Sequence, residues 1–373
     1  MKIHVACGGT GGHIFPGLAT AEELQRRGHE VTLWLAGKDV EGPALCEWRG
    51  NVITVPAEGY QGGGVLRAAH VVWKLLWAIR ICRRKMQVDP PDALLAMGSY
   101  ASIGPAKAAN QLGVPVILHE ANVLPGRAIR VCARRAATVA AAFEETRYYL
   151  RSRRLVVIGM PLRRSLVEAA NPPRPPRNDS RPFTVLIMGG SRGARSLNRI
   201  VVSAVTVATR RRPGWRILHL TGASDETETR DLYAQAGISA EVFGFCTHME
   251  TLYAQTDLVI CRSGASTCAE LALYGLPALL VPYPFAARNH QTANAHAMEK
   301  VGAVDVVMES DLESDWLAEY LASMRNATGR LDRMRQASQG RAHGDAAAAL
   351  ASEVEQAARD RQGAPAAEDG SRI

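Results

Sequence analysis

The chain of 373 residues is long enough for two ordinary domains, each with its own hydrophobic core. Hydrophobic residues make up 47% and charged residues 21%, which is typical of a globular protein rather than a disordered or coiled one. The formal net charge of +8 favours anionic partners such as nucleotides or phospholipid headgroups. No helix-turn-helix, zinc-finger or aromatic RNA-binding signature occurs, so we expect no nucleic-acid partner.

The cysteines and the apolar runs indicate the compartment. None of the seven cysteines forms a C-x-x-C pair, which favours a reducing compartment and argues against a zinc site or a disulfide framework. The apolar stretch after Lys2 is too short for a signal peptide, and no apolar run reaches the roughly 18 residues of a membrane span. We therefore expect a cytosolic protein, attached at most to a membrane surface.

Short β-rich runs alternate with helical stretches along the whole chain. The predicted strands are 3–6, 31–36, 51–55, 93–97, 115–120, 137–141, 155–159, 183–189, 215–220, 241–245, 257–262 and 277–282. Continuous apolar strands between helices predict parallel sheets covered on both faces. The prolines of AANPPRPPRNDSRP (169–182) exclude a helix or a central strand and predict an interdomain linker, and residues 360–373 are expected to be disordered.

A glycine-rich loop follows the first predicted strand and opens a helix. CGGTGGHIF (7–15) is not a dinucleotide fingerprint, because Ile14 stands where the third glycine belongs, and it is not a P-loop. Bare backbone amides at a helix start favour binding of phosphate or diphosphate, although an ordinary tight turn would also use glycines. His13 is either a structural ring or a proton carrier with a pKa near neutrality.

The same order of strand, glycine loop and helix recurs about 180 residues later in FTVLIMGGSRGARSLNRIV. In this loop Ser191 offers a hydroxyl donor, and Arg192 and Arg195 raise the positive potential. The loop is either an anion site or an ordinary strand-to-helix turn. The repeat predicts two doubly wound, Rossmann-like domains with a site between the carboxyl ends of their strands.

The stretch DLVICRSGASTCAELALYG (257–275) carries a third strand-to-helix junction. Its small residues leave the backbone amides at the helix start open to a diphosphate. Glu270, one turn into the helix, either accepts hydrogen bonds from ribose hydroxyls or compensates the helix dipole. Downstream, RNHQTANA (288–295) groups amide and imidazole side chains of the kind that bind sugar hydroxyls.

A separate helix is predicted over 65–87, where apolar residues occupy more than one face. Its most distinctive stripe comprises Leu66, Trp73, Trp77, Arg80 and Arg84. Tryptophan beside lysine and arginine is typical of a helix that lies on anionic lipid. The alternative is a buried core helix with solvated arginines.

As a set, these motifs resemble the MurG family of UDP-N-acetylglucosamine transferases over about residues 1–345. The motifs, in chain order, are GGTGGHIFPGLA, MGSYAS (97–102), HEAN (119–122), GMPLR (159–163), GGSRGAR (189–195), CRSGASTCAE (261–270) and NHQTANA (289–295). The resemblance implies an α/β GT-B fold with two Rossmann-like domains facing a cleft. The first domain would span 1–162 and the second 163–342, and a C-terminal helix at 343–359 would return to the first domain.

The family activity would move N-acetylglucosamine from UDP-GlcNAc to the 4-hydroxyl of the muramyl sugar of lipid I, the undecaprenyl-linked muramyl pentapeptide. The product would be lipid II, a precursor in peptidoglycan synthesis and hence for cell shape and division. The resemblance implies no cofactor besides the donor and no metal. It places the protein peripherally on the anionic cytoplasmic face of the plasma (inner) membrane, through helix 65–87, with a cell-wall synthesis complex as a further partner.

The resemblance also assigns residues to the donor site. From the first domain it implies Thr10, Gly11, Gly12 and Asn122. From the second it implies Arg163 near the phosphates, Gln291 on the sugar, Cys246 near the uracil, and Ser191 with Ala265, Ser266, Thr267, Cys268, Ala269 and Glu270 on uridine, ribose and diphosphate. The chain departs from the family pattern at Ser99, Met160, Arg288 and Cys246–His248.

Inversion at the anomeric carbon requires a single in-line displacement with a base on the acceptor hydroxyl. His13 is the candidate base. The alternative is that His13 positions a phosphate or the acceptor while another group, or substrate-assisted transfer, handles the proton. Two other functions remain open at this point: a UDP-GlcNAc epimerase or hydrolase, which shares the fold, and a sensor of sugar nucleotides or membranes without turnover.

Overall fold

The computed structural model describes residues 1–37, 45–46, 48–55, 64–170, 181–189 and 194–363. The chain divides into two compact units. The first comprises Met1–Ala121, Pro125–Pro161 and Asp345–Ile373, and the second comprises Asn122–Leu124 and Leu162–Gly344.

The first unit is built on a parallel sheet of seven strands in the order β3-β2-β1-β4-β5-β6-β7. The strands are β1 Lys2–Ala6, β2 Glu30–Leu35, β3 Asn51–Thr54, β4 Ala93–Ala96, β5 Val116–Glu120, β6 Thr138–Ala141 and β7 Leu155–Val157. The central strands β4, β5 and β6 are buried at every position, which is why their sequences are continuous apolar runs instead of alternating ones.

Helices cover both faces of the first sheet. They are Gly11–Arg26, Val65–Val88, Ile103–Gln111, Arg127–Cys132 and Ala346–Gly363, with short 3-10 turns at Tyr100–Ser102, Ala133–Arg135 and Glu144–Tyr148. On one face, helix Gly11–Arg26 and helix Ala346–Gly363 share a core with Ile3 and Val5. On the other face, helix Val65–Val88 packs with helix Ile103–Gln111 over Leu94.

The second unit repeats this architecture with a parallel sheet of six strands in the order β10-β9-β8-β11-β12-β13. The strands are β8 Phe183–Met188, β9 Trp215–Leu220, β10 Ala240–Phe243, β11 Leu258–Cys261, β12 Ala278–Leu280 and β13 Val304–Val306. Its helices are Arg164–Ala169, Arg195–Arg211, Glu226–Gln235, Met249–Tyr253, Ala265–Tyr274, His290–Glu299, Ser314–Asn326 and Thr328–Gln339, with 3-10 turns at Ala287–Asn289 and Glu309–Asp311.

The predicted fold class, two doubly wound parallel α/β units, is confirmed, and each predicted strand has an observed counterpart. Three details differ. The predicted linker 169–182 falls inside the second unit, since the division lies at Pro161, and residues 171–180 lie outside the described residues. The C-terminal helix continues to Gly363, so residues 360–363 of the predicted disordered tail are helical. Strand β13 was not predicted, because its sequence VDV is too short to show a pattern.

Candidate functional site

In the first unit, the loops after β1 and β4 meet at His13. Thr10 precedes helix Gly11–Arg26, and its Oγ1 lies 2.8 Å from Nδ1 of His13. Gly98, which follows β4, has a φ of +90°, and a Cβ there would lie 3.3 Å from both Cδ2 and Nε2 of His13. The imidazole is therefore held by a hydroxyl at one nitrogen and lies against bare backbone at the other. The amides of Gly11 and Gly12 occupy the first turn of the same helix, where N–H groups have no intrahelical acceptor.

Ser99 connects the two loops of the first unit. Its hydroxyl donates to the carbonyl of Gly8 at 2.5 Å and accepts from the backbone N–H of Ala101 at 3.2 Å. Its φ is +63° and its ψ is 169°, a conformation that is essentially confined to glycine. This chain therefore accepts backbone strain at Ser99, next to the Gly98 that lies against His13.

In the second unit, helix Ala265–Tyr274 begins directly after β11 without a side-chain cap. Ala265, Ser266 and Thr267 are half-buried, and as first-turn residues they leave N–H groups free to bind an anion. Cys268 differs from its neighbours, because its N–H already donates to the carbonyl of Gly264 at 2.9 Å. Its side chain is buried, and burial raises the pKa of the thiol to about 12. Cys268 therefore serves packing, while Ala269 is half-buried on the same turn.

Glu270 is held by a tyrosine that the sequence analysis did not single out. The hydroxyl of Tyr253 donates to Oε2 of Glu270 at 2.5 Å, and the Tyr253 ring packs 5.1 Å from the ring of Tyr274. Burial raises the pKa of the Glu270 carboxyl, opposed by the Tyr253 hydrogen bond and by the positive charge of Arg163. Within the part of the chain that is described, Oε1 of Glu270 has no hydrogen-bond partner, so this oxygen can accept a bond from a ligand hydroxyl.

Arg163 lies on the same side of the second unit. Its Nη1 donates to the carbonyl of Thr247 at 3.5 Å, next to the half-buried Cys246. Burial favours a higher pKa for Glu250, but its own backbone N–H, His248 and Arg163 hold that pKa below its usual value. Arg163 thus adds positive charge near both Glu250 and Glu270.

Gln291 is oriented by two backbone contacts. Its Oε1 accepts from the N–H of Tyr283 at 3.0 Å, and its carbonyl accepts from the hydroxyl of Ser263 at 2.9 Å. With Oε1 occupied, the Nε2 amino group is the part of the side chain that can donate to a ligand.

Asn122 is hydrogen-bonded to Asn294 of helix His290–Glu299. Its Oδ1 accepts from Nδ2 of Asn294 at 3.0 Å, and Oδ1 of Asn294 accepts from the N–H of Val123 at the same distance. Asn122–Leu124 accordingly group with the second unit. The fully buried Asn294 belongs to the NHQTANA motif. Its hydrogen bonds to Asn122 and Val123 depend on the fold and could not be read from the sequence.

The second glycine loop is only partly described. Ser191 and Arg192 lie outside the described residues. Arg195 pairs with Glu228 at 2.9 Å, so its charge is offset by a carboxylate and it raises the local potential less than expected. No group of three or more histidine, cysteine, aspartate or glutamate side chains within the described ranges is placed to hold a metal ion.

Helix Val65–Val88 has one buried and one exposed stripe. Ala78, Cys82 and Met86 are buried in the core of the first unit. Trp73 and Trp77 are 61% and 46% exposed, and Val72 and Leu76 beside them are also exposed. Arg80 and Arg84 are exposed on the following turns, and the side chain of Leu66 lies outside the described residues. None of the described helices is long and apolar enough to cross a membrane.

The fold and these groups define a sugar-nucleotide glycosyltransferase with a GT-B fold. Residues 3–141 match the family model "Glycosyltransferase family 28 N-terminal domain", and residues 184–350 match "Glycosyltransferase family 28 C-terminal domain". The chain belongs to the UDP-N-acetylglucosamine–N-acetylmuramyl-(pentapeptide) pyrophosphoryl-undecaprenol N-acetylglucosamine transferases, the MurG family.

Relatives and solved structures support this assignment. The transferase of that name from Geobacter metallireducens is 34% identical and that from Halorhodospira halophila is 36% identical, each over 95% of this chain and 98% of the relative. The crystal structure of Acinetobacter baumannii MurG superposes with a TM-score of 0.79 at 29% identity, covering 95% of this chain and 99% of that one. A UDP-GlcNAc 2-epimerase from Neisseria meningitidis, bound to UDP-GlcNAc, has a TM-score of 0.67 but 13% identity over 95% of this chain and all of that one, so it shares the fold alone.

Proposed function

We propose that this chain transfers N-acetylglucosamine from UDP-GlcNAc to the 4-hydroxyl of the muramyl sugar of lipid I, forming lipid II. The substrates are supported by the activity named for relatives that match nearly the full length of this chain. Among the structural observations, the contact between Thr10 Oγ1 and Nδ1 of His13 carries the proposal furthest, because it fixes an imidazole at the mouth of a glycine loop.

The donor would lie on the start of helix Ala265–Tyr274, whose first-turn amides and the hydroxyls of Ser266 and Thr267 suit a diphosphate. Oε1 of Glu270 would accept hydrogen bonds from the ribose hydroxyls, and Nε2 of Gln291 would donate to the sugar. Arg163 would neutralise charge on the phosphates, with Cys246 and Ser191 toward the uridine. Thr10, the amides of Gly11 and Gly12, and Asn122 would complete the contacts.

The reaction would be one in-line displacement with inversion. The acceptor O4 forms a bond to the anomeric carbon while the bond from that carbon to the β-phosphate oxygen breaks, and UDP leaves with the electron pair. In the tautomer that carries its proton at Nδ1 and donates to Thr10 Oγ1, Nε2 of His13 would take the acceptor proton. Helix N-termini and Arg163 stabilise the charge that grows on the leaving diphosphate.

The decisive assay measures transfer of labelled N-acetylglucosamine from UDP-GlcNAc to a lipid I analogue, with release of UDP. We expect His13→Ala to bind UDP normally and to lose turnover by roughly a hundredfold or more, since a general base typically contributes 10²–10⁴-fold. Near-normal turnover would remove His13 from the role of base. Label found only as free sugar or as an epimer would overturn the transferase assignment itself.

We infer also that the chain acts peripherally at the cytoplasmic face of the plasma (inner) membrane, where a lipid-linked acceptor lies, with a cell-wall synthesis complex as a further partner. The exposed Trp73 and Trp77, followed by Arg80 and Arg84, support binding to an anionic bilayer. Binding of Trp73 and Trp77 variants to anionic vesicles tests this interpretation.

A further inference from the structure

One carboxylate in the second unit joins two of the loops that follow its strands. Glu309 lies in the turn after β13, and its Oε1 accepts a hydrogen bond from the hydroxyl of Ser196, in the first turn of helix Arg195–Arg211. Its Oε2 lies 2.7 Å from Nη1 of Arg262, directly after β11. The side chains of Glu309 and Arg262 are 18% and 7% exposed, so the ion pair is largely withdrawn from water.

Arg262 extends this connection to the loop after β12. Its Nη1 also donates to the carbonyls of Val281 and Pro282 at 3.2 and 3.4 Å, and its guanidinium lies 5.5 Å from the ring centre of Tyr283. The N–H of Tyr283 in turn holds Oε1 of Gln291 at 3.0 Å. A buried guanidinium is stable only with its charge compensated, and Glu309 supplies that compensation.

We propose that Glu309 is a positioning residue of the donor site. It fixes the helix after β8, the start of helix Ala265–Tyr274 and the loop that carries Tyr283 in one mutual geometry. Two of these segments carry or hold groups assigned above to the diphosphate and the sugar, namely the start of helix Ala265–Tyr274 and the loop whose Tyr283 holds Gln291. Glu309 is assigned none of the donor contacts itself. The inference rests on that proposed donor site, and it adds a residue from β13's loop, which no motif of the sequence marks. Rigid placement of binding groups lowers the entropy lost on binding.

The test compares UDP binding by calorimetry and steady-state kinetics with UDP-GlcNAc. Glu309→Ala should raise the Kd for UDP and the KM for UDP-GlcNAc about tenfold while kcat changes much less, since displaced loops weaken donor binding before chemistry. Glu309→Gln keeps the shape and the contact with Ser196 but loses the charge, so its effect should be smaller. Ser196→Ala should raise the Kd about threefold, and Ser196→Thr, which restores the hydroxyl, should bring it back.

A control ion pair lies at the far end of helix Arg195–Arg211, at Arg211. Glu319, on helix Ser314–Asn326, pairs with Arg211 on the surface of the second unit, so Glu319→Ala removes an exposed ion pair and should leave both Kd and KM unchanged. If the Glu309 variants melt at a lower temperature but bind UDP as tightly as the unaltered chain well below that temperature, Glu309 is merely structural and the inference fails. If Glu309→Ala does not fold, the two Ser196 variants and Glu309→Gln decide in the same way. Failure of the unaltered chain to bind UDP would instead refute the proposed donor site.

Discussion

Ser99 shows how much backbone strain the loop beside His13 contains. It holds a conformation that costs a residue with a side chain on the order of 1–3 kcal/mol. Two hydrogen bonds of its hydroxyl, to Gly8 and Ala101, offset part of this cost. Serine is therefore tolerated in this conformation because its side chain is short and polar.

This strain makes a prediction with a definite sign. Ser99→Ala and Ser99→Gly both lose the hydroxyl. Alanine is strained in this backbone conformation because of its Cβ, whereas glycine adopts it without strain. We expect Ser99→Ala to be less stable than Ser99→Gly by about 1–3 kcal/mol in urea unfolding of the first unit. Equal stability of the two variants would mean that the backbone relaxes to another conformation. Transfer activity should follow the same order, because Gly98 and its neighbours support the His13 ring.

The sequence singles out individual residues but not the partners that hold them. His13 could be proposed from the sequence because it is an ionisable group at a glycine-rich helix start, and Glu270 because it lies one turn into a helix that begins with small residues. Tyr253 could not, because it is 17 residues from Glu270 in the chain and reaches it only through the packing of two helices. The role of Gly98 likewise depends on the fold, since β1 and β4 pair side by side although they lie far apart in sequence.

Helix Val65–Val88 illustrates the limits of periodicity at the scale of an element. The sequence predicted a helix with apolar residues on more than one face but left open which face is buried. The small side chains of Ala78 and Cys82 are buried against helix Ile103–Gln111, and the bulky tryptophans face outward. Close packing of two helices requires small side chains at the contact, so the bulky tryptophans remain exposed. Hydrophobicity alone would have predicted the tryptophans on the buried face.

Membrane binding provides the test of this element. Trp73→Ser with Trp77→Ser should weaken binding to vesicles that contain anionic phospholipid by about tenfold or more, because interfacial affinity scales with buried apolar area. The control is Trp316→Ser, which removes a tryptophan of similar exposure, 43%, from the second unit. Binding measured by co-sedimentation should also fall with added salt, since the arginines act electrostatically. Unchanged binding by the double variant would refute the proposed role of the helix.

At the scale of the whole molecule, three buried histidines make stability depend on pH. Burial lowers the pKa of His4 and of His119 to about 4, and that of His219 to about 3. The unfolded chain takes up protons near pH 6.5, whereas the folded chain resists them until these lower values. Stability is therefore fully present above about pH 6.5 and falls as pH decreases toward 4, by about 1.4 kcal/mol per pH unit for each histidine.

His4 allows this dependence to be isolated. Both of its ring nitrogens lack a hydrogen-bond partner within the described residues, and its ring lies 5.5 Å from that of Trp34. His4→Phe should raise the unfolding free energy of the first unit and flatten its decline between pH 6.5 and 4, measured by urea titration at several pH values. His296→Gln, at a side chain that is 58% exposed, should leave the slope unchanged. A slope in His4→Phe equal to that of the unaltered chain would contradict the assignment.

The helix Ala346–Gly363 has a consequence for biosynthesis. Leu350, Ala351 and Val354 complete the core that Ile3 and Val5 begin, and Glu355 binds Arg27 and His29. The first unit therefore combines residues that precede and residues that follow the second unit, while the second unit is contiguous apart from Asn122–Leu124. During synthesis on the ribosome, the second unit can fold before the first unit is complete, because the first unit needs helix Ala346–Gly363 to emerge. Nascent chains arrested before residue 346 are thus expected to present an open apolar face on the first sheet, a natural target for chaperones.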